Sequence, residues 1–373
     1  MTTRTPVADA RPRRGVRFDW GTIGIQVGLR VLALVIALVV GGAILLLLHI
    51  NPFEAYSSLV VGAVGPGGMA QSIVKATPLL LVGLGVCIAF RASVINIGAE
   101  GQIILGVVGA TWFSLAFRTW PGWLLLPATL IVGFLFGAAW GFIPGILKAR
   151  LDVNEILSTV MMNAIAFQLM NFMLRGPLMD PEVVMAGTFL AQSERLPEQA
   201  FLPRLVPQTL LHAGAVLALV LAFVVYIFLW RTTIGYRIRA VGLNVDASRY
   251  AGISVPFYQA LSLTLAGGFA GLAGAVEVLG VHHRLLEGIT GGYGFSGIVA
   301  ALFGGLHPLG LIPASLIFGS LLVGADKMQR ATPAPSSMID VILGLIVLLV
   351  SGSIWLADRW STRRMIAAAA AKG

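Results

Sequence analysis

Long apolar stretches separated by short polar segments dominate the pattern along the chain. The first, "LRVLALVIALVVGGAILLLLH" (29–49), is long enough to cross about 30 Å of hydrocarbon at about 1.5 Å per residue. No small-residue cleavage site follows it, so it predicts an uncleaved first span. Comparable stretches predict ten transmembrane helices, at 29–49, 72–90, 94–116, 123–147, 153–174, 210–230, 257–281, 294–306, 309–325 and 337–356.

The pair 294–306 and 309–325 departs from this pattern because both members are short. One long hairpin that dips into the membrane is the alternative interpretation of the pair. The choice affects orientation, since one span fewer would reverse the side of the membrane assigned to every later segment.

Composition supports a membrane environment. Hydrophobic residues make up 57% of the 373 residues, charged residues only 11%, and the mean hydropathy is +0.90, whereas ordinary globular domains carry about a quarter charged residues. The net charge of +9 is scattered between apolar runs, which favours basic loops at an anionic membrane face over nucleic-acid binding. The single cysteine, Cys87, excludes a disulfide framework. The predicted fold class is an all-α polytopic membrane protein.

Loop charges predict the orientation of the chain. With the N-terminus inside, 17 of the 25 lysines and arginines fall on inside segments and 8 on outside segments. This asymmetry follows the positive-inside rule and predicts a multi-pass membrane protein with both termini in the cytoplasm. The predicted divisions are a cytoplasmic tail 1–28, a transmembrane domain 29–356 with an outside loop 175–208 and a cytoplasmic loop 231–254, and a cytoplasmic tail 357–373.

A glycine stripe in the fourth span predicts close helix packing. Gly133, Gly137, Gly141 and Gly145 recur every four residues and therefore share one helix face. Small residues at this spacing let helix backbones approach closely in lipid. An internal helix contact is the favoured interpretation, and a subunit interface is the alternative.

The segment "GGYGFSG" contains the glycine spacing of a dinucleotide-binding loop at Gly292, Gly294 and Gly297. No hydrophobic strand precedes it and an apolar, glycine-rich span follows, so it predicts a helix start or a broken helix instead. The adjacent His282 and His283 fall in an outside loop, where solvated side chains are expected. No phosphate-binding G-x-x-x-x-G-K-[ST] motif occurs anywhere in the chain.

Polar side chains inside the apolar spans are the candidate functional residues, because such groups are costly in a membrane. In "NIGAEGQIILGVVGA" (96–110), Asn96 and Glu100 share a helix face and Gln102 lies about 60° away. Amides and hydroxyls of this kind bind sugar hydroxyls or base edges. The alternative is that Glu100 caps a neighbouring helix or bonds broken-helix amides and so stabilises the fold. The candidate set is Asn96, Glu100, Gln102, Thr159, Asn163 and Asn171.

The inside loop 231–254 predicts a short helix outside the bilayer. Asn244 is a good N-cap residue, Asp246 favours the first helical turn, and Gly252 can supply a left-handed residue at the C-terminus. Between them "VDASRYA" can form about two turns of helix. A capped helix between two spans is an element on which a soluble partner can act.

Three motifs carry a family resemblance: "INIGAEGQIILGVVGA", "DVNEILSTVMMN" and "AVGLNVDASRYAGI". They resemble the permease subunits of ATP-binding cassette (ABC) importers for simple sugars and nucleosides, within the ribose and branched-chain amino-acid permease family. The resemblance implies a type II importer fold in which spans two to five and seven to ten form inverted repeats. "INIGAEGQ" and "GYGFSGIVAALFGG" would then occupy corresponding places in the two halves, as broken helices do in other repeat-built transporters.

The same resemblance implies the partners. The chain would pair with a second permease and receive cargo from an external substrate-binding lipoprotein. ATP and magnesium would bind a separate cytoplasmic ATPase, so this chain, embedded in the lipid bilayer, would be no enzyme and hold no cofactor or metal. The implied coupling helix docks into that ATPase and comprises Gly242, Leu243, Asn244, Asp246, Ala247, Arg249, Tyr250, Ala251 and Gly252.

Two other functions are compatible with an apolar chain of this kind. An ion-gradient-driven secondary transporter would use Glu100 or Glu277 as its proton or sodium site. An intramembrane enzyme would need a catalytic constellation, which the sequence lacks. Within the importer hypothesis, the cargo (purine or pyrimidine nucleoside, pentose or hexose) and the identity of the second permease stay open.

Overall fold

The computed structural model describes residues 32, 35–36, 38–47, 49–185 and 191–332 and isolated positions between 341 and 352. The predicted tails 1–28 and 357–373 lie outside the described residues, as do part of span 29–49 and most of span 337–356. Two compact units divide the chain: Met1–Ile44 with Asp340–Gly373, and Leu45–Ile339. In the first unit, the described positions are residues 38–44 and a few isolated residues, and they are helical.

Helices joined by short connections make up the described residues, which contain isolated β-bridges but no strand. The helix Val255–Glu277 continues into a turn of π-helix at Val278–His282, and a 3₁₀ turn covers Glu198–Ala200. The helices are α1 (Leu38–Leu47), α2 (Pro52–Val64), α3 (Gly68–Arg91), α4 (Ala99–Ala116), α5 (Gly122–Leu151), α6 (Glu155–Leu174), α7 (Pro181–Met185), α8 (Gly214–Arg231), α9 (Thr233–Leu243), α10 (Val245–Tyr250), α11 (Val255–Glu277), α12 (Tyr293–Phe303) and α13 (Pro308–Ala331).

Polar side chains define where several helices begin. Asn154 accepts hydrogen bonds from the amides of Ile156 (2.9 Å) and Leu157 (3.3 Å) at the start of α6. Asn51 and Thr232 cap α2 and α9 in the same manner. Each cap satisfies an amide that has no partner within its own helix, so the polar residues between apolar runs fix the helix boundaries.

Seven of the described helices are long and apolar enough to cross a membrane: α3, α4, α5, α6, α8, α11 with its π-turn, and α13. The predicted span 294–306 is not among these seven helices. α12 has 11 residues, which reach about 16 Å and cover only half of a bilayer core. Residues 304–307 then turn into α13, which has 24 residues. The predicted short pair is thus a half-length helix followed by a full-length one, and ten complete spans stay a prediction.

The glycine stripe of α5 packs against a second stripe on α11. A Cβ atom added at Gly133, Gly137 or Gly141 would collide with α11, where Gly267 and Gly271 face them. The fourth glycine of the stripe faces α11 as well. This backbone approach maximises van der Waals contact where lipid supplies no hydrophobic driving force. The predicted internal helix contact is confirmed.

Connections between helices gather at two ends of the bundle. At one end, which we call the Arg91 end, the Arg91 guanidinium donates to the Leu306 carbonyl (Nη2–O 3.2 Å) and the Ser93 hydroxyl donates to the Gly242 carbonyl (2.7 Å). At the other, the Ser193 end, the amides of Ser193 and Leu196 donate to the carbonyls of Leu285 and His283 (both 2.9 Å). Connections that were predicted to lie on the inner side of the membrane thus contact one another, and connections that were predicted to lie on the outer side do the same.

Candidate broken-helix site

The chain between α3 and α4 is non-helical at residues 92–98 and enters α4 through a buried polar pair. The Asn96 amide donates to Gln102 Oε1 (2.8 Å), and the Gln102 amide donates to Asn96 Oδ1 (3.2 Å). Asn96 Oδ1 also accepts from the Gly98 amide (3.0 Å), and both side chains are 1% exposed. Because each amide satisfies the other, these two residues stabilise the start of α4 and have little capacity left for cargo.

Asn163 of α6 supplies the cap that the start of α4 lacks. Gly98 is the N-cap residue of α4 and has no side chain. Asn163 Oδ1 accepts from the Gly101 amide (2.8 Å), and its Nδ2 donates to the Ile97 carbonyl (3.0 Å). Thr159, one turn earlier on α6 and fully buried, packs against Gly98, where a Cβ atom would lie 3.0 Å from Thr159 Cβ. α6 therefore fixes the position at which α4 begins.

Glu100 joins the start of α4 to the start of α12. Its Oε2 atom accepts a hydrogen bond from the Gly294 amide (2.8 Å) in the first turn of α12. A side chain at Gly294 would collide with Glu100, so glycine permits this approach. The carboxylate faces the positive ends of two helices at once. We call Asn96, Gln102, Glu100, Asn163 and Gly294, with their backbone contacts, the broken-helix junction.

The broken-helix junction lies in the interior of the bundle. Asn163 is eight residues after the start of α6, about 12 Å along the helix axis. Gly297, one turn beyond Gly294, packs against Val82, nine residues before Arg91, about 14 Å along α3. Both measures start from the Arg91 end, so α4 and α12 begin well inside the bundle.

Asn171 does not belong to the junction. It lies eight residues beyond Asn163 on α6, about 12 Å farther along the helix. There it lines a cavity of about 460 Å³ with Gln168, Phe172 and Arg175. These three neighbours are not among the candidate residues predicted from the sequence, although their spacing from Asn171 puts all four on one helix face.

Histidines and a carboxylate at the Ser193 end are packed, which corrects the expectation of solvated side chains at 282–283. His282 Nε2 lies 3.4 Å from Glu277 Oε1, and Glu277 is 4% exposed. The His283 ring stacks on Phe201 with ring centroids 3.8 Å apart. Burial lowers the pKa of His283 from its ordinary value, and the positive charges of nearby arginines lower it further. One oxygen of Glu277 thus lies close to His282, whereas its buried Oε2 atom has no hydrogen-bond partner among the described residues.

A metal-binding arrangement is not found among the described residues. No group of three or more histidine, cysteine, aspartate or glutamate side chains there lies close enough together to hold an ion. The polar atoms of the broken-helix junction are mainly amides bonded to one another and to backbone.

The 231–254 segment contains the short helix expected from the sequence. α10 is capped by Asn244, whose Oδ1 accepts from the Ala247 amide (2.9 Å), and Gly252 is left-handed with φ +75°. Leu243 and Tyr250 are 87% and 94% exposed. The helix and its cap are confirmed; the docking role of residues 242–252 stays a prediction.

The base of the 231–254 segment packs on the connection that leads to α4. Besides the hydrogen bond from Ser93 to the Gly242 carbonyl, the backbone of Gly242 lies against Arg91, where a Cβ atom would collide with the Arg91 carbonyl. Glycine at 242 thus permits direct backbone contact between two connections at the Arg91 end.

Broken helices whose starts meet inside an apolar bundle define a class of protein, the multi-pass membrane transport proteins. The comparisons with known proteins specify the family. The family described as "Branched-chain amino acid transport system / permease component" matches residues 68–351, and the chain belongs to it. No solved structure matches the chain.

Several curated relatives cover most of the chain. The guanosine ABC transporter permease protein NupP of Bacillus subtilis is 37% identical over 86% of this chain and 92% of its own length. The glucose ABC transporter permease protein TsgB13 of Haloferax volcanii is 33% identical over 87% and 86%. The nucleoside ABC transporter permease protein NupB of Lactococcus lactis is 32% identical over 86% and 89%. The expected role of ABC transporter permease is confirmed, and the secondary-transporter alternative is not supported.

Proposed function

We propose that this permease forms the translocation path for a nucleoside or simple sugar that an external binding protein delivers. Relatives named for guanosine, nucleosides and glucose limit the class of cargo that we propose. The proposal rests mainly on the exposure of α10. This helix is capped by Asn244, and Tyr250 in its last turn is 94% exposed. A soluble ATPase can hold such a helix and transmit its movement to the bundle.

A complete importer also needs partner subunits, a membrane and a defined orientation of this chain. ATP and magnesium bind the separate ATPase, and a second permease, identical or homologous, faces this chain across the path. The external partner is a substrate-binding lipoprotein, and the complex resides in the bacterial plasma membrane. Both termini of this chain are cytoplasmic, which is supported by the positive-inside count and by the contact of predicted inside connections at the Arg91 end.

The architecture we propose is the type II importer fold with ten spans and inverted repeats. Its support is the correspondence between α4 and α12. Each follows a non-helical segment, each begins inside the bundle, and Glu100 joins their first turns. In this arrangement Asn96, Gln102 and Asn163 stabilise the junction together with Thr159, whereas Asn171 faces the path.

Reconstitution tests the proposed function. The permease, its ATPase and the external binding protein are placed in proteoliposomes, and uptake of labelled guanosine, uridine, ribose and glucose is measured. We expect ATP-dependent uptake of at least one of them that continues when proton and sodium gradients are collapsed. Uptake that stops with the gradients while ATP stays high would overturn the proposal in favour of a secondary transporter.

A further inference from the structure

One face of α6, at the end away from Arg91, carries four side chains suited to ligand binding. Gln168, Asn171, Phe172 and Arg175 follow the spacing i, i+3, i+4 and i+7 and line the cavity of about 460 Å³. We call these four residues the α6 amide face. This cavity is an open groove rather than an enclosed pocket, and its volume lies within the range of about 300–1,000 Å³ that is usual for small-molecule sites.

The polar groups of this face are not satisfied within the described structure. Gln168 is exposed and makes no hydrogen bond to another described residue. Asn171 Oδ1 is buried and also has no hydrogen-bond partner. Gln168 lies six residues before the end of α6, about 9 Å from that end, and so within the apolar layer of a bilayer. Lipid tails offer no hydrogen bonds to an amide, so these amides need a polar partner that the described residues do not supply.

Packing within the chain does not account for the polar side chains of the α6 amide face. Only 22% of the most apolar stretch of α6 is buried inside the chain, the lowest share among the seven candidate spans. Elsewhere on α6 the polar residues bond to neighbours, as Asn163 does at the broken-helix junction. On the α6 amide face the side chains of Gln168 and Phe172 are exposed, so a ligand can reach them, and the buried Asn171 Oδ1 atom lies beside them.

The chemistry of the four side chains selects a purine. Phe172 is 63% exposed and offers a ring on which a flat base can stack, as aromatic side chains do with bases in nucleic-acid sites. Glutamine and asparagine amides pair with the N6 and N7 atoms of adenine, and arginine pairs with O6 and N7 of guanine. Pyrimidines lack the N7 atom, and sugars lack the flat ring.

We propose that the α6 amide face is a subsite for the purine base of a nucleoside on the translocation path. The cavity is lined by residues of α6 and the loop that follows it, so the site is incomplete until the second permease supplies the opposite wall. This inference rests on the proposed function and adds to it a cargo class and the residues that recognise it.

Selectivity of uptake by the assembled transporter tests the subsite. Phe172→Ala is compared with Phe167→Ala, which removes a ring that is 41% exposed on the same helix but about 90° around the helix from the centre of the α6 amide face. In proteoliposomes with ATPase and binding protein, we expect Phe172→Ala to raise the KM for guanosine about tenfold, the effect of about 1.4 kcal/mol. The KM for ribose should change less than twofold, and Phe167→Ala should resemble the unmodified protein.

A photolabelling measurement supplies a readout that does not depend on transport. The intact complex is irradiated with 8-azidoguanosine, and labelled peptides are mapped. We expect label on residues 168–176, reduced by excess guanosine and by Gln168→Leu, and not reduced by excess ribose.

The outcomes separate the two proposals. ATP-driven guanosine uptake with identical KM values for both alanine variants would overturn the subsite and leave the proposed function standing. Loss of permease pairing in Phe172→Ala with unchanged cargo selectivity would also overturn it, because the face would then be a contact between permeases only. Failure of every nucleoside and sugar to enter with ATP would overturn the proposed function itself.

Discussion

At the scale of single residues, Glu100 is a carboxylate that holds two helix starts together. Its hydrogen bond to the Gly294 amide, at 2.8 Å, occupies an amide at the start of α12 that has no partner in its own helix. An acceptor at this place is therefore required, whereas a negative charge or a titrating proton is not.

Two substitutions at Glu100 distinguish an acceptor from an ion site. Glu100→Gln keeps an oxygen that the Gly294 amide can reach, so we expect uptake to remain within about threefold of normal. Glu100→Leu leaves that amide unpaired, a cost of about 1–3 kcal/mol, and should lower both uptake and the melting temperature of the purified protein. Initial rates of uptake and thermal unfolding in detergent measure both effects. Complete loss of accumulation in Glu100→Gln with normal folding would contradict the capping role.

The sequence singled out polar residues inside the apolar spans, but it could not show which of them lie together. Helical spacing gives the angle of a side chain around its axis, and this placed Thr159, Asn163 and Asn171 on related faces. Helical spacing does not show which residue of a neighbouring helix lies at the same depth in the bundle. Asn163 meets α4 and Asn171, about 12 Å away, does not.

At the scale of helices, close packing at the α5–α11 contact depends on the absence of side chains. Gly137 lies where any Cβ atom would collide with the backbone of Gly267 and Gly271. The helix pair therefore tolerates neither rotation nor added volume at this position.

A matched pair of substitutions on α5 tests this contact. Gly137→Leu should separate α5 from α11, and overpacking of this kind costs about 1–3 kcal/mol or more. Ala139→Leu adds a similar side chain at an exposed position of the same helix and should be nearly neutral. The yield of monodisperse protein and its melting temperature give the comparison. Equal stability of the two variants would show that the contact is not tight.

The coupling role of α10 can be tested at Gly252. Proline fixes φ near −65° and cannot adopt the observed +75°, and it removes the amide that donates to the Arg249 carbonyl at 3.0 Å. We expect Gly252→Pro to abolish most ATP-dependent uptake while membrane insertion stays normal. Gly252→Ala keeps the amide and should give an intermediate loss. Full uptake by a well-expressed Gly252→Pro variant would count against docking at α10.

Helices were predicted from local signals with unequal success. The α10 cap and the glycine stripe depend on neighbouring residues, and both were confirmed. The length of α12 depends on where residues 283–292 run and on the contact of Gly294 with Glu100, far away in sequence. Apolar content at 294–306 carries no information on such a contact, so a complete span was expected.

At the scale of the whole molecule, the connections are sorted between the Arg91 end and the Ser193 end. This sorting agrees with helices that cross a membrane alternately, and the charge asymmetry predicts that the Arg91 end faces the cytoplasm. The sequence could predict the alternation because it depends on the order of spans, whereas the packed histidines at the Ser193 end depend on tertiary contacts.

Cysteine labelling tests the orientation. In a Cys87→Ala background, single cysteines replace Gln199 at the Ser193 end and Ala247 in α10, both exposed positions. We expect an impermeant thiol reagent to label the first in intact cells and the second only after permeabilisation. Labelling of both from the same side would refute the topology.

The contact between Gly242 and the connection 92–98 has a mechanical consequence. Ser93 bonds to the Gly242 carbonyl, and there is no gap between the two backbones. Displacement of Gly242 would therefore displace Ser93, and the non-helical segment 92–98 would transmit that displacement to Glu100, whose carboxylate holds the start of α12. An ATPase that moved the 231–254 segment, as proposed, would thereby act on a hydrogen bond in the interior of the bundle through seven peptide links, without requiring any long helix to tilt.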